Sequence, residues 1–231
     1  ARRAPNAPDC KAISVVQLSG APNLEQINEE GEYTYGTITD AATSYQVMTY
    51  GKIVALTRQA IVNDDLRGFD RLITAFGYAA RRKENQLVYA QLQAAGNYSA
   101  DKGNLGDAAL SFEALSAMRT AMRKQKGLAG EHLNLRAEFL IVPPELEGLA
   151  YQLTSPNYVP ATQSATSEFR SGGRTALTPV VEALLSDANP GAWYGVASSG
   201  MVDTVEYCYL DGAEGPVTES KTGWEIDGME M

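Results

Sequence analysis

Residues 44–93 read SYQVMTYGKIVALTRQAIVNDDLRGFDRLITAFGYAARRKENQLVYAQLQ. The first third alternates. Tyr45, Val47, Thr49, Gly51, Ile53 and Ala55 fall on one side of an extended chain, and Gln46, Met48, Tyr50, Lys52, Val54 and Leu56 on the other. A period of two with β-branched and aromatic side chains predicts a strand. The period then lengthens, and Phe69, Leu72, Ile73, Phe76, Ala80 and Leu87 recur at helical spacing with charges between them. Asn63 and Asp64 are N-cap candidates, Asp65 suits the positive helix end, and Gly96 can take a left-handed cap. A helix from 65 to 95 has roughly 30 residues and would reach ~45 Å, with Gly68 and Gly77 as points where it could break. That is long for a compact domain. A strand feeding such a helix is a spine built for reach, not a pocket wall.

Upstream, residues 29–39 (EEGEYTYGTIT) are polar and strand-like, and residues 40–43 read as a turn into the strand at Ser44. Together they predict a hairpin within 24–56. Its first arm is too polar to be buried on both faces, so the hairpin must lie in solvent or find cover on another chain. Residues 10–18 (CKAISVVQL) read as a short strand, 20–23 as a turn, and 1–9, with two prolines, as a flexible arm. Downstream, 97–110 is a polar link. Ser111 caps a helix over FEALSAMRTAMRKQKG, with Leu115, Met118 and Met122 as its buried stripe and Gly127 as its stop. Residues 139–142 (FLIV), bounded by Pro143 and Pro144, predict a buried central strand, and Pro144 opens a short helix. Residues 158–175 read as a surface loop. Strands are expected within 177–185, 192–197, 202–210 and 224–231, with a turn at 211–216. Two or three helices and about seven strands, not in strict alternation, give an α+β class.

The 231 residues are 44% hydrophobic and 20% charged, ordinary for a globular protein, with a net charge of −9. Residues 1–181 carry 18 acids and 18 bases, so the remaining fifty residues hold 10 acids against the single base Lys221. That acidic segment disfavours duplex binding and fits a solvated face or a basic partner. No apolar run approaches the ~20 residues that span a bilayer. Cys10 and Cys208 read as lone thiols of a reducing compartment. Residue 1 is Ala, which fits removal of an upstream segment or a late start equally, and the opening lacks a signal peptide's apolar middle.

Chemistry is sparse. His132 is the single histidine, so any Ser–His–Asp or Cys–His system would need it, and its setting between a helix and a strand favours a loop histidine. One histidine and two distant cysteines give no zinc spacing. Asp64 and Asp65 are better explained by capping than by a hard cation, and residues 103–106 lack the context and lysine of a phosphate loop. No catalytic residue, metal or cofactor is expected. Arg81, Arg82 and Lys83 form one basic cluster and Arg123, Lys124 and Lys126 another. Each is either a solvated helix face with partners such as Glu84 or a source of inter-subunit salt bridges to the acidic C-terminal segment.

Four runs carry a resemblance: YGKIVALTRQAIVNDDL (50–66), RRKENQLVYAQL (81–92), AMRKQKGLAGEHLNLRAEFLIVPPELE (121–147) and VDTVEYCYLDGAEGPVTESKTGWEIDG (202–228). In that order they resemble the major capsid proteins of tailed phages. More narrowly they resemble the Mu-like head-subunit branch, some members of which are fused behind a ClpP-like prohead protease. The resemblance extends from about residue 10 to residue 231. It implies the Hong Kong 97-type capsid fold, with an N-terminal arm (1–20), an extended E-loop hairpin (21–58), a peripheral domain with a long spine helix (59–109, the helix at 63–95), an axial domain (110–200) and strands returning to the peripheral domain (201–231). Two departures are visible. Family members generally continue past the equivalent of Gly228 and often carry histidines where this chain has YSADK (98–102).

The implied function is a structural subunit that self-assembles into pentamers and hexamers of an icosahedral head, enclosing phage DNA without sequence-specific binding. The implied place is the virion capsid, with the host cytoplasm during assembly. Scaffold, prohead protease, portal and decoration proteins are the implied partners, with no membrane, cofactor or enzymatic activity. Rival readings are an encapsulin-like compartment shell and a hydrolase using His132. On the capsid reading Tyr45, Val47 and Tyr50 face a neighbouring subunit, the two basic clusters contact neighbours, and Phe69, Ile73, Phe76 and Leu87 hold the subunit's own peripheral domain.

Overall fold

The computed structural model describes residues 1–18, 40–63, 68–155, 172–173, 176–202, 204–222 and 228–230. In chain order the elements are β1 (Arg2–Arg3), β2 (Ile13–Leu18), β3 (Asp40–Tyr45), β4 (Ala55–Thr57), α1 (Arg58–Val62), α2 (Gly68–Gln93), α3 (Phe112–Lys124), β5 (Ala137–Val142), α4 (Glu147–Thr154), β6 (Thr178–Val181), β7 (Tyr194–Ala197), β8 (Glu206–Tyr207), β9 (Lys221–Thr222) and β10 (Gly228–Glu230). The chain divides into two compact units. The first comprises Ala1–Arg2, Ser14–Ser44 and Tyr89–Glu206, and the second Arg3–Ile13, Tyr45–Val88 and Tyr207–Met231. The boundary falls inside α2, so one continuous helix belongs to both.

The first unit has its own core. β5 is the central strand of a three-stranded sheet, parallel to β6 and antiparallel to β7. The run 139–142 is apolar because both faces of β5 are covered. Leu110, Leu115, Ala137, Leu140, Val142, Ala150, Leu153 and Leu177 form the cluster, with Phe112, Met118, Met122 and Trp193 packed against it. α3 starts where Ser111 accepts the Ala114 amide at 3.1 Å. Glu113 in its first turn and Arg123 and Lys124 in its last complement the helix dipole. Of the predicted stripe, Leu115 is buried in the cluster and Met118 and Met122 pack against it. After α3 the chain turns back, with the Gly127 amide on the Glu131 carbonyl (2.9 Å) and Gly130 at φ 80°. A side chain at Gly130 would be strained there. α4 leaves β5 through a 3-10 turn at Pro144–Leu146, as Pro144 predicts.

The second unit is thinner. β10 pairs antiparallel with β4 (Met229 opposite Leu56) and with β9 (Met229 opposite Thr222). The chain start runs beside residues 207–211, with the Ala4 amide on the Tyr207 carbonyl (2.9 Å) and the Ala7 amide on the Tyr209 carbonyl (2.8 Å).

Several expectations are corrected. Residues 40–43, expected as a turn, lie in β3, which pairs with β2; the expected first hairpin arm at 24–39 lies outside the described residues. Residues 46–54 alternate as a strand does but join no ladder among the described residues. Alternation states which faces a strand would have, whereas ladder formation needs a partner backbone. The long helix is described over Gly68–Gln93, where Gly77 does not interrupt it, and residues 64–67 at its expected start lie outside the described residues. The cap candidates Asp64 and Asp65 lie outside the described residues, as does most of the loop expected at 158–175. Among the described residues of 202–210 the two-residue β8 is the only strand, and 177–185 divides into β6 and a 3-10 turn at Ala183–Leu185. The expected flexible arm is docked over residues 2–7, where Ala4 and Ala7 are buried.

Candidate functional site

Apolar side chains that fail to find cover define the surface of interest. Among the described side chains of the second unit, only Ala4 and Ala7 are buried. In the same unit Met48 (65% exposed), Tyr50 (52%) and Ile53 (75%) lie on the unpaired stretch 46–54, and Ile73 (53%), Tyr78 and Leu87 lie on α2. Single exposed apolar residues are normal, but this concentration beside so small a core is not. Ile73, Ala80 and Leu87 share one helix face by their spacing. Ile73 and Leu87 were expected inside the unit and are exposed; Phe76 is half-buried, and the side chain of Phe69 lies outside those described. Helical periodicity finds an apolar stripe without saying which molecule covers it.

Of the expected contact residues on the hairpin, Tyr45 and Val47 are half-buried and Tyr50 is exposed. The Lys83 ammonium lies 4.7 Å from the centroid of the Tyr50 ring, a cation–π contact between the extended stretch and α2. Sequence reading had placed these two residues in separate groups. Arg81, Arg82 and Lys83 are exposed in the second unit. Arg123, Lys124 and Lys126 are exposed in the first, where Arg123 donates to the Asn134 side-chain oxygen at 2.7 Å. Asn134 has φ 49°, a left-handed conformation that asparagine tolerates.

The acidic segment finds a partner the sequence reading missed. Glu214 pairs with Arg3 at 2.9 Å and accepts from the Asn6 amide. The donated hydrogen bonds of Arg3 and Asn6 hold the Glu214 carboxyl below the usual carboxylate range. Burial, together with the Glu84 carboxylate to which it is hydrogen-bonded, pushes the Tyr209 hydroxyl up. Glu84, expected to serve the basic cluster, thus serves residue 209. No local signal marks these pairs, because more than a hundred residues separate their members.

His132 is exposed, in a turn whose backbone bridges residue 132 to Lys126. Among the described residues no group of three His, Cys, Asp or Glu side chains gathers as a metal site. Cys10 and Cys208 are free thiols. Among the described residues no helix is long and apolar enough to cross a membrane.

The sequence model of the family described as phage capsid protein matches residues 40–231. Among solved structures, the capsid of bacteriophage JBD30, decorated with minor capsid protein trimers, is similar with a TM-score of 0.61 at 15% identity, over 78% of this chain and 87% of that chain. At such identity the likeness is one of fold. No curated protein sequence matches the chain significantly. With the family matched over most of its length and the fold shared, the chain belongs to the phage capsid protein family, as a structural shell protein of a tailed-phage virion with the Hong Kong 97-type α+β fold.

Proposed function

We propose that the chain is the major head subunit of a Mu-like phage, and that copies of it close through heterologous contacts into pentamers and hexamers of an icosahedral shell around DNA. The observation that carries this reading is the second unit, with two buried alanines against the exposed Met48, Tyr50, Ile53, Ile73 and Leu87 among its described residues. Apolar area of that kind is stabilised when a neighbour removes it from water, by about 25 cal/mol per Å². On this reading the second unit is the peripheral domain with α2 as its spine, the first unit is the axial domain, and residues 21–58 form a hairpin laid over a neighbour. The exposed Met48, Tyr50 and Ile53 on that hairpin then meet protein from neighbours. The clusters Arg81–Lys83 and Arg123–Lys126 draw neighbouring acidic segments together. Assembly takes place in the host cytoplasm with scaffold, protease, portal or decoration proteins, and the protein performs no catalysis.

Negative-stain microscopy of the purified chain over a range of salt and concentration tests the proposal. Rings or closed shells are expected. A particle that stays monomeric under every condition would overturn it. Replacing both Met48 and Ile53 with Asp should abolish shells while leaving the far-ultraviolet circular dichroism of the chain unchanged.

A further inference from the structure

Residues 4–7 lie as a short strap along residues 207–211. The Ala4 and Ala7 amides donate to the Tyr207 and Tyr209 carbonyls at 2.9 and 2.8 Å, and the Asp211 amide donates to the Ala7 carbonyl at 2.8 Å. Only the methyl groups of Ala4 and Ala7 are buried along the strap, so apolar burial anchors it weakly. Residues 8–11 that follow are exposed bends.

Side-chain contacts add to these backbone hydrogen bonds, and they converge on one carboxylate. Arg3 lies 2.9 Å from one Glu214 oxygen, and Asn6 donates to the other. Arg3 also donates to the Asn6 side-chain oxygen at 3.1 Å, which aligns the pair. The guanidinium sits 5.1 Å from the centroid of the Tyr209 ring, and that ring meets Tyr207 edge-on at 5.8 Å. Tyr209 is in turn held by Glu84 from α2.

We infer that Glu214 is the catch that closes the N-terminal strap onto the C-terminal segment of its own chain, so that loss of this carboxylate's charge or of its Arg3 partner opens the strap. The inference rests on contacts within the second unit and stands apart from the shell reading. The groups facing the catch are Arg3, which precedes the strap, and Asn6 within it; Tyr207 and Tyr209 face Arg3, and Glu84 reaches Tyr209. Glu214 titrates below the ordinary carboxylate range, its largest influence being the Arg3 hydrogen bond. A depressed carboxylate stabilises the folded arrangement above its unfolded pKa of about 4.3, and that contribution is lost as pH falls through the folded value. The Glu214 carboxylate is therefore charged at neutral pH, and its hold on the strap is lost in acid. Because Arg3 and Glu214 are exposed, added salt loosens it.

Hydrogen exchange by mass spectrometry on the full chain tests this. In Glu214→Gln and in Arg3→Gln the amides of residues 4 and 7 should exchange about two- to fivefold faster than in wild type. Amides of β5 should keep their wild-type rates, which shows that the fold is intact. The exchanged pair, Arg3→Glu with Glu214→Arg, should restore slow exchange to the strap. Unchanged strap exchange in both single variants, or a charge-exchanged pair as fast as the single variants, overturns the inference.

Discussion

Ser111 Oγ accepts the Ala114 amide at 3.1 Å and satisfies one of the orphan donors at the start of α3. Ser111→Ala should cost about 1 kcal/mol, read as a lower urea midpoint with an unchanged slope. Leu140 sits at the centre of β5 with no exposed surface, so Leu140→Ala should cost about 2–5 kcal/mol. Gly195 in β7 faces the Met118 side chain so closely that an added Cβ would collide with the thioether. Gly195→Val should therefore destabilise by about 1–3 kcal/mol, and by less in a Met118→Ala background, where the space is open. Tyr98 donates to the Leu92 carbonyl at 2.5 Å, and burial, reinforced by Tyr194, pushes its hydroxyl up to about 12. In the unfolded chain it ionises near 10. Its contribution is thus complete below pH ~10 and is lost as pH rises through about 12. Tyr98→Phe should flatten that part of the alkaline stability profile, measured as urea midpoints in steps above neutral pH.

Among elements, α2 is both scaffold and surface. Its 26 residues run unbroken through Gly77, where an added Cβ meets nothing within 4 Å. Gly77→Ala should therefore stabilise the chain by about 0.5–1 kcal/mol through helix propensity alone. The exposed positions of the same helix should behave differently. Ile73→Asp and Leu87→Asp are expected to lower the stability of the isolated chain only modestly, by about 0.5–1 kcal/mol, because both side chains are partly exposed. Both should suppress assembly as followed by light scattering, because the aspartate would carry its charge into a contact from which water is excluded. The stretch 46–54 is the second surface element, with side chains spaced as in a strand and a backbone outside every described ladder. A neighbour that supplies the missing ladder would convert that alternation into pairing.

Across the whole molecule, stability is distributed unevenly. The first unit holds the cluster around Leu115, Leu140 and Val142, whereas the second buries two alanines among its described side chains. Amides of β5, β6 and β7 should accordingly exchange slowly and those of 46–57 rapidly in the unassembled chain. On assembly the second group should slow, because binding between copies stabilises whatever it covers. Charge acts at the same scale. Reversing Arg81, Arg82 and Lys83 to Glu should slow assembly at low salt and reduce its salt dependence, since attraction between exposed charges is screened over ~10 Å at 0.1 M.

Local order was readable without the fold. The Ser111 cap, the central strand at 139–142, the proline-opened turn at 144 and the helical character of α2 each follow from side chains a few residues apart. Capping, periodicity and proline geometry act over that distance, so a linear reading captures them. The family was also legible, through four runs in order, and the match over 40–231 agrees with it. What folding alone decided is pairing between distant segments. Residues 40–43 became strand because β2 lay beside them, and residues 2–7 became a docked strap because 205–211 offered free backbone groups. Glu214 found Arg3 across almost the whole chain, and Ile73 and Leu87 stayed exposed although their spacing marked an apolar face. Periodicity records that a face is apolar; only the arrangement of chains in space determines what excludes water from it.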